Sequence, residues 1–141
     1  MIDSYNFKDP KNDFAITAFA GPLSNLLLAF IGFLVHIPIV FFIGNTIINE
    51  FLAYLIIINI SLAVFNMLPI PPLDGSKVLG VILPKHLYFR MLGADRIGFF
   101  ILIILLLTDR QIGVLSYIID VPRGALINAM QLLAEKIYFF L

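Results

Sequence analysis

Cysteine is absent from the 141 residues, which excludes disulfides and thiolate metal sites and leaves the redox compartment unmarked. Charge is scarce: 13% of the residues are Asp, Glu, Lys or Arg, about half the share of a soluble domain. A surplus of one sign is missing too. Nine basic residues face nine acidic ones, so no basic patch is left over for nucleic acid. No cleavable secretory leader is visible, because residues 1–13 carry Asp3, Lys8, Asp9, Lys11 and Asp13 and the apolar run behind them is too long for one. The first crossing is therefore expected to direct insertion itself. What the chain has in excess is apolar: 61% of residues, with a mean hydropathy of +1.03. That excludes an ordinary soluble enzyme and a disordered linker. It predicts a polytopic membrane protein, with room for about three or four crossings at ~20 residues each.

The charges divide the chain into an all-α membrane bundle of one domain. Residues 1–13 are a polar entry segment. A first crossing is expected at 14–42, bent or tilted near Gly21-Pro22. Gly44-Asn45-Thr46 is a turn signal. The second crossing, 51–68, stops at Pro69, because Pro71 and Pro72 follow and cannot continue a helix. Residues 69–96 form a proline-rich motif and a basic loop. A third crossing is expected at 97–119, but its uncharged part, 97–108, spans only ~18 Å of helix. Either it extends across Asp109-Arg110 with the two charges neutralised or facing protein, or it is thin and snorkels at both ends. Residues 122–141 carry Gly124, Asn128, Gln131 and Glu135 at helical spacing, with Leu126, Ala129, Met130, Leu133 and Ile137 mostly elsewhere. This pattern predicts an amphipathic helix, with Pro122 in its first turn and Asp120 near its start. Lys77, Lys85, Arg90 and Arg96 place 75–96 in the cytoplasm, with the entry segment on the same side and the 44–50 turn outside.

Chemistry concentrates at the end of the second crossing, in Asn66-Met-Leu-Pro-Ile-Pro-Pro-Leu-Asp74-Gly75. Asp74 is an ionisable group directly after a membrane span. The prolines break the helix at membrane depth, where non-helical backbone is tolerated only if protein covers it or water reaches it. Asn59 and Asn66 are two helical turns apart and share a face, as amides that pair helices or line a cavity do. A plainer reading stays open: Asp74-Gly75 is a turn at the membrane exit and Asn66 is interhelical glue.

Asn66-x-x-Pro69-x-Pro71-x-Leu73-Asp74-Gly75 resembles the signature of the site-2 protease family, the intramembrane zinc metalloproteases. Ala20-Gly21-Pro22-Leu23-Ser24-Asn25 resembles a second element of that family, and Tyr5-Asn6-Phe7-Lys8 through Asp13 the linker before it. The similarity is to small bacterial and archaeal members without PDZ domains and covers at least residues 5–85. It implies peptide-bond hydrolysis in or near the cell membrane, with transmembrane or membrane-associated proteins as substrates. It implies Asp74 as third zinc ligand and Asn66 as the amide that stabilises the oxyanion or positions the scissile peptide. Zinc with three protein ligands and one open position activates water near neutral pH. In the family the other two ligands and the base come from a His-Glu-x-x-His helix, and this sequence has none. Its two histidines, His36 and His86, are not an i, i+4 pair; the first is expected at a helix end or interface, the second in a solvated loop. The chain is thus expected to be the C-terminal portion of such an enzyme, inactive as it stands and without tightly bound zinc. The alternatives are a degenerate, non-catalytic module that binds transmembrane partners through the Asn59/Asn66 face, and an unrelated small membrane protein.

Overall fold

The computed structural model describes residues 10–140. They form six helices: α1 (Pro10–Phe42), α2 (Thr46–Asn66), α3 (Asp74–Ile82), α4 (Lys85–Leu92), α5 (Asp95–Ile112) and α6 (Val114–Phe140). No strand occurs among the described residues. Two stretches, Asp13–Phe42 and Thr46–Asn66, are long and apolar enough to cross a membrane; α5 and α6 add a third only as a broken pair. The all-α membrane class expected from composition is what the chain adopts.

The α1–α2 turn follows its residues. Gly44 takes φ +61°, the left-handed conformation that costs glycine least. Asn45 then caps α2: its Oδ1 accepts from the backbone N–H of Ile47 at 3.1 Å and of Ile48 at 3.2 Å. The cap starts α2 at Thr46, five residues before the expected Phe51, and Glu50 is carried within the helix.

Two compact units emerge. The first combines the chain up to Pro22 with Phe65–Leu115; the second combines Leu23–Val64 with Ser116 onward. The core of the second is Ala29 and Phe33 of α1, Ile56 and Ile60 of α2, and Ala134 of α6, with Leu126, Ile127 and Met130 packed on it. Gly32 lets α1 approach α2 closely, since a Cβ there would stand 2.9 Å from Ile56 Cγ1. Pro38 sits inside α1 and has no N–H, so the carbonyl of Leu34 one turn earlier loses its usual donor. The Tyr138 hydroxyl of α6 donates to that carbonyl.

The expected crossing at 97–119 is interrupted. Gly113 adopts φ 68° and its N–H donates to the Asp109 carbonyl at 2.7 Å, a left-handed C-cap that ends α5. The Asp109 carboxylate accepts the N–H of Leu115 at 2.6 Å and so caps the start of α6. Asp109 is thus a capping residue at a helix break. α6 consequently begins eight residues before Pro122, which lies inside it, and Asp120 pairs with Arg123 at 2.9 Å. The basic stretch expected as a loop also differs: 74–92 contains α3 and α4. They pack where the Tyr88 ring fills the space over Gly80, whose Cβ would fall 2.6 Å from Tyr88 Cδ2.

Candidate functional site

Asn66 is the last residue of α2 and Asp74 the first of α3. The segment between them is non-helical because its prolines withhold donors from the preceding turn. Leu68 N–H instead donates to Phe65 O at 3.1 Å and Leu73 N–H to Ile70 O at 2.8 Å, so the backbone closes into successive tight turns. The Pro71–Pro72 peptide is cis. Ser76 then fastens the start of α3, its N–H and hydroxyl both donating to Leu73 O, at 3.1 and 2.7 Å.

Glycine seats the start of α3 on the chain leaving α2. A Cβ on Gly75 would lie 2.1 Å from Met67 O, so the first turn of α3 rests directly on the backbone leaving α2. Gly75 follows Asp74 and Met67 follows Asn66, so this contact brings the ends of both helices together. Gly98 of α5 makes an equivalent approach: its Cβ would lie 2.0 Å from Pro71 O. Gly21 of α1 faces the Asp74 carboxylate, where a Cβ would stand 3.3 Å from Oδ2. The other carboxylate oxygen, Oδ1, accepts a hydrogen bond from Lys77 Nζ at 3.0 Å, and both side chains are about one-third exposed. Neither Gly21 nor Lys77 carries a signal of its own in the sequence that would assign it to this carboxylate.

The remaining candidates lie elsewhere. Asn59 Nδ2 donates to Leu55 O of its own helix at 2.8 Å. His36, partly buried, lines a cavity of about 160 Å³ in the second unit with Phe33, Ala53, Ile56, Ile57 and Ile127. His86 is exposed on α4. Among the described residues no group of three or more His, Cys, Asp or Glu side chains is placed to hold a metal.

Comparison with known proteins bears on the family of this chain. Residues 37–107 match the model of Peptidase family M50. The chain belongs to this family. The Bacillus subtilis (strain 168) protein named "Putative zinc metalloprotease YwhC" is 32% identical over 128 residues, covering 86% of this chain and 58% of that protein. "Putative zinc metalloprotease MJ0611" of Methanocaldococcus jannaschii is 43% identical over 67 residues, 44% of this chain and 31% of that protein. The M50 chain therefore spans less than two thirds of either relative's length. No solved structure matches it. Family membership agrees with the site-2 protease resemblance of the Asn66–Gly75 block, which lies inside the matched region.

Proposed function

We propose that residues 1–141 form part of a membrane-embedded zinc metalloprotease that hydrolyses peptide bonds in or near the bilayer of a bacterial or archaeal cell membrane. Asp74 contributes one zinc ligand and Asn66 holds the scissile peptide or its oxyanion. The observation that supports this most is the placement of Asp74. The proline break turns the chain so that an ionisable group opens α3 beside α1, against a backbone with no side chain to exclude it. A carboxylate at the end of a membrane span is a functional group by default.

The described residues do not complete a catalytic zinc site. Such a site takes three protein ligands and an open position, and these residues provide no cluster of three. A site of the family's kind needs two further ligands and a base, and this sequence contains no His-Glu-x-x-His to supply them. The reading as a non-catalytic partner-binding module draws on a shared Asn59/Asn66 face. Asn59 already spends its amide on Leu55 O, which removes one donor from that face.

Elemental analysis tests the proposal. Purified residues 1–141 should hold well under one zinc per chain after dialysis. Reconstituted with a family segment carrying His-Glu-x-x-His, they should hold one. Asp74→Ala should lose that zinc and all turnover. Asn66→Ala should keep the zinc and lower kcat more than it raises KM, as expected of a contact realised in the transition state. A reconstituted Asp74→Ala protein with one zinc and unchanged turnover overturns the ligand assignment.

A further inference from the structure

The Asp74 carboxylate is paired with a cation of its own helix. Lys77 lies three residues further along α3, which places it on the same helix face as Asp74. Its Nζ is 3.0 Å from Oδ1, while Oδ2 points at the Gly21 backbone of α1. Lys77 and Asp74 are 33% and 31% exposed, so protein encloses neither partner.

We propose that Lys77 is the resident counter-ion of Asp74: it neutralises the carboxylate while no metal is bound, and any divalent cation that takes Asp74 must first displace it. This rests on the reading of Asp74 as a zinc ligand. A protonated ammonium has three donors and no lone pair, so Lys77 competes for the carboxylate without ligating a metal itself. An ion pair this accessible is weak, which makes it displaceable. A divalent ion carries the larger local charge and dominates the carboxylate once other ligands hold it. Gly21 keeps the exchange local. With no side chain there, Oδ2 stays against α1, and the carboxylate can change partner at Oδ1 without leaving its place.

A zero-length crosslink tests the proposal on the chain itself. Carbodiimide treatment of residues 1–141 in micelles should join Asp74 to Lys77, seen by mass spectrometry as a peptide lighter by one water, and Asp74→Asn should abolish it. In residues 1–141 reconstituted with a family segment carrying His-Glu-x-x-His, saturating Zn²⁺ should suppress that crosslink. Lys77→Gln should tighten Zn²⁺ binding by about two- to five-fold, the range expected for losing a competing exposed ion pair. Lys77→Arg, which keeps the counter-ion, should not tighten it. Failure to crosslink in residues 1–141, a crosslink undiminished by Zn²⁺, or unchanged or weaker Zn²⁺ binding in Lys77→Gln each overturns the proposal. Asp74→Asn separates the two readings. If it leaves Zn²⁺ binding unchanged, the ligand assignment fails; if it weakens binding while Lys77→Gln does nothing, only the counter-ion role fails.

Discussion

Gly98→Ala should unseat the proline-broken segment that carries Asp74. In α5 the new Cβ would lie 2.0 Å from the Pro71 carbonyl oxygen, 2.7 Å from its carbon and 2.9 Å from Pro71 Cβ. Carbon and oxygen normally approach to about 3.3 Å, so something must move by more than ~1 Å. The obstructing atoms are backbone and a proline ring, and neither has a rotamer to yield. Overpacking of this kind costs about 3 kcal/mol. Alanine in a helix returns up to about 1 kcal/mol relative to glycine. The net expectation is a loss of about 2 kcal/mol, or ~4–8 °C in Tm for a chain of this size. Gly124 is the internal control, because a Cβ there meets nothing within 4 Å. Gly124→Ala should leave Tm unchanged or raise it. The chain has neither cysteine nor tryptophan, so far-UV circular dichroism in micelles is the suitable probe. If Gly98→Ala melts with Gly124→Ala at or above the parent, α5 does not hold the Pro71 carbonyl as described.

Tyr138→Phe should destabilise the second unit by about 1 kcal/mol, because the Leu34 carbonyl that Pro38 leaves open then loses its protein donor. A Pro38→Ala background restores a backbone donor, so a double-mutant cycle should show the Tyr138→Phe effect shrinking there; equal effects in both backgrounds refute the pairing. Burial pushes the Tyr88 phenol above its ordinary value. Its folded pKa is raised, so its contribution is fully present below the unfolded pKa of about 10 and is lost as pH rises through the folded value. Denaturation followed from pH 8 to 12 should steepen above about 10, and Tyr88→Phe should flatten that part of the curve. A Tyr88→Phe profile superimposable on the parent's excludes Tyr88 as the cause.

Much of the helical layout was visible because membrane solvent simplifies it. Long uncharged runs marked α1 and α2, and Gly44-Asn45 marked the turn between them. The α5–α6 break was not visible. Its determinant is a carboxylate six residues from the N–H it caps, and one glycine within an apolar run does not announce a left-handed cap. Pro122 misled in the same way: proline at a helix start is common, so it pointed to a boundary where α6 in fact continues. Asp74 and Asn66 stand out in the sequence as polar groups at the end of an apolar run, and their position at the α2–α3 break follows from the prolines between them. The close approaches of Gly21, Gly75 and Gly98 were not legible, because an absent side chain gains meaning only from what occupies its space.

Those glycines answer a question the prolines raise. Non-helical backbone at membrane depth must be covered by protein or reached by water. Covering requires something close enough to exclude lipid from the Met67 and Pro71 carbonyls. Any residue larger than glycine at position 75 or 98 would push α3 or α5 back from those two carbonyls. The break is therefore covered on two sides by glycine backbone. The side chains of Lys77 and Asp74, just past the break, remain about one-third exposed. Protein thus shields the Met67 and Pro71 carbonyls, while the carboxylate that follows the break stays about one-third exposed.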